Sequence, residues 1–399
     1  MRSRRATAIA GVLAFSAALA VVAAAYATPN RAAAPSAQAG SGAALVKCGK
    51  TRTIGFMAPV TGPAASIGIQ QVHWAQYYVS TYNKTHKTKL KLQTEDTQLG
   101  APTGTAEALK GAQALAGSPN VLGVVGPAGS NEIVGVTKSL KDGGLAWVSG
   151  SSTRTSLTTD GTRTGYMFRT VPPDAIQGPT VANFILKKLK YTRVYIIDDQ
   201  ETYSTGLADT VQQVLKTAGS TVGRDGVSQQ QSDFSSLIAK IPRDTQIVYI
   251  PWQLPPKGQA FGNQMKSAGK GSIKLMGSDG LFDSSFASVG SNVYDSNFPL
   301  NPKSKIITGF KKLHGGDGEY FGAPTYAATQ VVANAIDRSC KSGSTTRAKV
   351  RAAIRSTKIP ASQSLIGVAI RYNRNGDLST LHKFGLYKSN GKVFVPIAG

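Results

Sequence analysis

The stretch "VYIIDDQETYSTGLADTVQQVLKTAG", residues 194–219, decides the fold. Val194 to Ile197 form a continuous β-branched and aromatic run that two aspartates end, the pattern of a strand buried on both faces of a parallel sheet. A polar turn with Tyr203 at its centre follows. Leu207, Val211, Val214, Leu215 and Ala218 then recur at helical spacing, Gly219 stands where a helix would be capped, and a β-rich run begins at Thr221. This is one β-α-β unit. In open α/β sheets ligands meet the loops at the carboxyl ends of strands, so Asp198 to Ser204 is the first candidate site.

Working outward, the same alternation repeats. Strands are expected at 54–60, 90–94, 121–125 and 145–149, with helices at 69–83, 105–116 and 131–141 between them. The rhythm pauses at 169–173, and a second set starts with a helix at 175–189. It continues through the opening unit, strands at 247–251 and 273–277 and a helix at 258–268. Helices at 305–314, 325–340 and 346–356 have no matching strands and are expected to return to cover the first set. The tail, "YNRNGDLST" between Ile370 and Phe384, reads as short antiparallel strands around an Asn-Gly turn. The fold class is therefore α/β, two lobes with mostly parallel sheets and several crossings.

The chain of 399 residues is long enough for two cores, and 41% apolar content is that of a globular protein. Its formal charge is +24, and only three arginines lie in the first 27 residues, so the body itself is strongly basic. That favours anionic polymers or membrane surfaces as partners. Nucleic acid is not expected, because the cations are scattered and no zinc-finger or basic-helix pattern occurs. Arg2, Arg4 and Arg5 precede an uncharged run from Ala6 to Ala27 that ends in Ala25-Tyr26-Ala27, which predicts export with cleavage after Ala27. An uncleaved anchor is the alternative. Residues 28–47, rich in Ala, Pro, Ser and Gly, read as a flexible linker. In an oxidising compartment Cys48 and Cys340 tend to close on each other, tying the first strand to a distant helix; two free thiols are the alternative.

Several motifs are decoys. "ALVKCGKT", 44–51, fits a loose phosphate-binding loop, but it follows a linker and enters a strand instead of leaving one for a helix. Ser267 with Lys270 faintly suggests a penicillin-binding enzyme, yet that serine ends a helix. His73, His86, His314 and His382 are far apart in sequence and lack ligand spacing, so they read as surface or packing residues. No metal, cofactor or nucleophile-base set is expected, and an enzyme is not. Small hydroxyl residues recur at strand ends instead. "VVGPAGSNE" places Ser130 between strand and helix, "WVSGSSTRT" places Ser151, Ser152 and Thr153 after the next strand, and "LMGSDGLF" adds Asp279. Loop amides and a helix N-terminus can hold a carboxylate there, although such hydroxyls also serve as plain helix caps.

Together, "IGFMAPVTGPAASIG", "GVVGPAGSNE", "FRTVPPDAIQGPTVANFIL", "DDQETYSTGLADTVQ", "QSDFSSLIAKI" and "MGSDG" occur in an order and spacing that resembles the type I periplasmic solute-binding proteins. The likeness covers about residues 50 to 395 and is to the branch that binds leucine, isoleucine and valine for ATP-driven (ABC) importers. It implies two Rossmann-like lobes joined by a three-strand hinge and closing on a ligand in the cleft. The implied division is 1–27 signal peptide, 28–47 linker, 48–170 plus 302–365 lobe 1, and 171–301 plus 366–399 lobe 2. By resemblance Ser130 and Thr153 hold the carboxylate and ammonium of an amino acid, and Ser151 makes a backbone contact. Tyr203 closes over the ligand, Asp279 pairs with its ammonium, and Phe321 lines the side-chain pocket.

Four positions depart from that pattern. Gln253 stands where the family carries an aromatic, so Trp252 is the candidate to take its place; Ile67 replaces a rim aromatic; and Gln98 and Gly129 stand where a first-lobe disulfide is usual. The implied function is an exported, monomeric binding protein, in the periplasm or on the outer cell surface, that delivers an amino acid or related amide to the membrane permease of an ABC importer. The second reading is a sensory or surface protein that uses its basic exterior to hold an anionic envelope polymer.

Overall fold

The computed structural model describes residues 44–298, 304–315, 319–380 and 383–397. The segment that opened the sequence folds as strand Arg193–Asp198, helix Thr202–Thr217 and strand Thr221–Gly226. The two strands are parallel, Val194 opposite Val222 and Ile197 opposite Asp225. Leu207, Ala208, Val211 and Leu215 are the buried stripe of the helix and pack on Ile196 and Tyr249. Arg193–Asp198 is the second strand from one edge of a seven-stranded sheet. On one side lies Thr221–Gly226, and on the other Ile247–Tyr249, Lys274–Met276, Val293–Asn297, Gly385–Ser389 and Phe394–Pro396 in that order. The last two are antiparallel additions and the others run parallel.

The other sheet has five parallel strands, in spatial order Lys89–Asp96, Thr51–Ala58, Val121–Val125, Trp147–Ser149 and Met167–Arg169. One of its faces is covered by helices Ala65–Thr85, Lys305–His314, Glu319–Ser339 and Arg347–Arg355, so the late helices do return to the first core. Trp74 is buried there and stacks on Phe310 with ring centroids 3.9 Å apart. Helices Gly104–Gly117 and Ser130–Asp142 cover the opposite face.

Several expectations are corrected in detail. The helix expected over 175–189 runs Asp174–Asn183 and widens into a π-helical turn, Phe184–Lys188, with Pro179 inside the first part. The linker does not extend to Lys47: Val46–Lys47 pairs antiparallel with Ser344–Thr345, beside a Cys48–Cys340 disulfide. The final crossing lies beyond residue 366, because Ile366, Ile370 and Leu378 are buried in the first core. Asn375-Gly376 turns there, with the isolated bridge Tyr372 to Leu378 in place of a regular hairpin and the Asn373 Oδ1 taking the N–H groups of 375–377. Gly376 has φ +100°, and a Cβ on it would lie 2.1 Å from the Met167 carbonyl oxygen, so the turn sits directly on the first sheet. The regular hairpin follows one turn later, Gly385–Ser389 with Phe394–Pro396. His73 and His314, distant in sequence, stack at 5.5 Å beside Phe310. The expected signal peptide and most of the linker fall outside the described residues, and no helix among those described is long and apolar enough to cross a membrane.

Candidate functional site

Strand order reverses once in each sheet: between Thr51–Ala58 and Val121–Val125 in the first, between Arg193–Asp198 and Ile247–Tyr249 in the second. Loops leaving the carboxyl ends of such strands diverge and open a crevice. Here the loops of both sheets border one cleft. The first sheet contributes Ile67, Leu99, Ala128, Gly129, Ser130, Ser151 and Ser152, the second Tyr203, Gln253, Asp279 and Gly280, and Phe321 comes from helix Glu319–Ser339. The rims are tied across the gap. Arg154 donates from Nη1 to the Thr202 carbonyl and to Thr205 Oγ1, Gln230 Nε2 donates to the Gly100 carbonyl at 3.2 Å, and Leu254 packs with Ala64 and Leu99.

On the first-sheet side the hydroxyls are already employed. Ser151 Oγ accepts from Gln71 Nε2 at 2.9 Å and donates to the Ala128 carbonyl at 2.8 Å, which Ser152 Oγ also reaches at 2.8 Å. These bonds lock the loop after one strand to the loop after its neighbour. Buried Arg169 anchors the same loop from below, donating to Asp377 Oδ1 at 2.6 Å and to the Arg154 carbonyl at 2.9 Å. That pair joins the burial of Ile366, Ile370 and Leu378 in holding the segment after residue 366 on the first core. Ser130 opens helix Ser130–Asp142 and its Oγ accepts from the Arg154 N–H at 3.3 Å, which leaves its own proton to give. The positive end of that helix faces the cavity wall. Inside its first turn, Glu132 takes the Gly129 N–H at 2.6 Å, and burial pushes its carboxyl up to about 7.

The second-sheet side is acidic and enclosed. Asp279 Oδ1 accepts from the Tyr203 hydroxyl and from Gln177 Nε2, each at 2.7 Å, and Ser278 Oγ lies 2.7 Å from the same phenol. Gln177 is held in turn by the Ser296 hydroxyl at 3.1 Å. Burial raises the Asp279 carboxyl to about 6, against the lowering effect of Tyr203 and Gln177. Asp174 is raised to about 7 by burial, with the Asp279 charge adding to it, and Asp295 is pushed well above the carboxylate range for the same two reasons. Tyr203, for its part, is held far above its ordinary value by burial beside Asp279.

Of the eight residues singled out from sequence, Ser130, Ser151, Tyr203, Gln253, Asp279 and Phe321 line the cavity. Thr153 does not reach it. It lies beneath the floor, with its carbonyl taking the Asp174 N–H at 2.8 Å and its hydroxyl facing the Asp174 carboxyl. Trp252 is also out of reach: Nε1 donates to the Ile197 carbonyl at 2.8 Å and the ring packs on Phe234 and Phe261 inside the second core. A large ring beside a candidate position is more stable buried than at a rim, which is why it cannot take over from Gln253. Sequence reasoning missed Gln177, Asp174 and Asp295. The first two stand in the quoted "PPDAIQGP" motif, and the third interrupts the strand "VYDSN", where an acid is costly without a reason.

Two α/β halves meeting over a small cleft, helix N-terminus and hydroxyls on one wall and a buried carboxyl on the other, define a protein built to hold a small molecule between them. The chain belongs to the periplasmic binding protein family, whose sequence model matches residues 51–391. A Leu/Ile/Val-binding protein of Rhizobium johnstonii is 30% identical over 355 residues, 86% of this chain and 92% of its own. A leucine-, isoleucine-, valine-, threonine- and alanine-binding protein of Pseudomonas aeruginosa is 27% identical over 338 residues, 82% and 87% of the two chains. Among solved structures, a branched-chain amino acid transporter substrate-binding protein of Streptococcus pneumoniae in complex with isoleucine superposes with a TM-score of 0.74 at 20% identity, over 87% of this chain and all of that one. A leucine-binding protein of Thermotoga maritima gives 0.77 at 21% identity, covering 87% and 98%.

Proposed function

We propose that this chain is the exported substrate-binding component of an ABC importer. It encloses one amino acid of branched-chain or hydrophobic type, or a related amide, and presents it to a membrane permease without changing it chemically. The observation that carries this reading is Asp279, a buried carboxyl at a cavity wall, aligned by Tyr203 and Gln177 and facing the start of helix Ser130–Asp142. A zwitterion that enters such a space loses its hydration, which is tolerable only if each charge meets a partner. Asp279 suits the ammonium. Ser130, the loop amides and the helix N-terminus suit the carboxylate. Those partners come from different sheets, so ligand binds the closed arrangement better than an open one and shifts the population toward it.

A second reading has one observation behind it. Residues 338–376 contain nine lysines and arginines and no acid, so part of the exterior could hold a polyanion instead. Calorimetry against a panel of amino acids, repeated at high salt, separates the two. Saturable binding of a small molecule that salt leaves unchanged is the expected result. Absence of such binding, together with salt-sensitive capture of an envelope polymer, would overturn the transport reading.

A further inference from the structure

Gln253 lies in the loop after strand Ile247–Tyr249, and its backbone is held on two sides. Its N–H donates to Asp199 Oδ2 at 3.3 Å. Gly280 packs so close that a Cβ there would lie 2.9 Å from Gln253 Cα and 2.5 Å from the Trp252 carbonyl oxygen. These contacts fix the loop with Gln253 at the cavity wall. The residue is only 4% exposed, yet Nε2 has no hydrogen-bond partner among the described residues. Of the other large lining side chains, Ile67, Leu99 and Phe321 carry no polar atom, and the Tyr203 hydroxyl is engaged with Asp279. An unpaired buried amide nitrogen calls for a reason, because no described residue offsets its lost hydration.

We propose that the ligand's far end carries a carboxamide and that Gln253 is the residue that selects it. This rests on the amino acid reading above and narrows it to the amide class, with Asp279 taking the ammonium. Two carboxamides are mutually complementary, each offering an N–H donor and a carbonyl acceptor. The pairing is therefore available whichever way round the Gln253 amide is turned. Ile67, Leu99 and Phe321 suit the methylene groups between the two polar ends, while a purely aliphatic side chain would leave the Gln253 amide as lonely as before.

The test is calorimetry on the purified full chain, unfolded and refolded first to remove carried-over ligand, with L-glutamine, L-asparagine, L-leucine and L-isoleucine. One of the two amides is expected to bind at least about tenfold more tightly than either aliphatic residue. Gln253→Leu is expected to reverse the order. A wild-type protein that binds leucine or isoleucine as tightly as both amides would overturn the proposal and leave the transport reading intact. So would a Gln253→Leu variant that binds with the order unchanged. Should that variant fail to fold, the wild-type ranking still decides. If none of the four binds, this proposal falls, and the wider amino acid panel decides the transport reading.

Discussion

The two walls of the cavity are built on opposite principles. On the first-sheet side, Ser151 and Ser152 spend their hydroxyls on the Ala128 carbonyl, so the wall is shaped by bonds internal to the protein. What it offers a guest is mainly backbone N–H groups and one serine proton. On the second-sheet side, Tyr203 and Gln177 both point their donors at a single carboxyl oxygen of Asp279, so the wall concentrates negative charge in a dry place. The difference teaches that one half contributes many modest contacts and the other a single large one. Losses should be spread thinly over the first and fall heavily on one residue of the second.

Removing that residue is the sharpest way to break the contrast. Asp279→Ala should weaken binding of the preferred amino acid by about 2 to 5 kcal/mol, since the ammonium is left buried without a partner. Titration calorimetry reads it directly. An unchanged affinity would show that the ligand carries no cation there.

Protonation is the milder version of the same test. With Asp279 raised to about 6 by burial, affinity should hold from pH 8 to 7 and fall about tenfold by pH 5, as the carboxyl gains a proton. Stability of the ligand-free protein should move the other way. Glu132, Asp174 and Asp199 at about 7, with Asp279, bind protons more tightly folded than unfolded. Their contribution is therefore fully present below the unfolded carboxylate range and is lost as pH rises through about 6 to 7. Melting temperature and affinity measured across pH 5 to 8 should run in opposite directions. If they rise and fall together, the burial of these acids is not what sets the site.

The smallest effect belongs to the first wall. Ser130→Ala should cost about 0.5 to 1.5 kcal/mol of affinity, because the neighbouring amides of the helix start remain. A loss as large as that of Asp279→Ala would erase the distinction between the walls.

The architecture was legible because each strand of the parallel sheets is a short apolar run ended by turn residues, and each crossover helix carries its own periodic stripe. Ser130, Tyr203 and Asp279 were legible for a related reason: each stands at a strand's carboxyl end, where position implies access. Depth was not legible. Nothing local distinguishes Thr153, which lies under the floor, from Ser152, which lines it. Trp252 and its neighbour Gln253 lie in the loop after the strand, where no alternation applies, and the packing of Trp252 on Phe234 and Phe261 decides which one the core takes. The return of residues 366–378 to the first core rests on long-range contacts, the Arg169–Asp377 pair and the burial of Ile366, Ile370 and Leu378, that no local pattern announces. Asp295 was missed because a single acid inside a strand reads as an exposed position until both neighbouring strands are in place.

The Cys48–Cys340 bond joins residues 292 apart and so makes a covalent ring of nearly everything both sheets contain. Among their strands only Gly385–Ser389 and Phe394–Pro396 lie outside it. A protease that nicks any one surface loop within the ring opens the chain without releasing a fragment, since the two pieces stay linked through sulfur and the strands stay packed. For a molecule that works outside the cytoplasm, among enzymes that cut exposed peptide, such damage leaves the trap assembled.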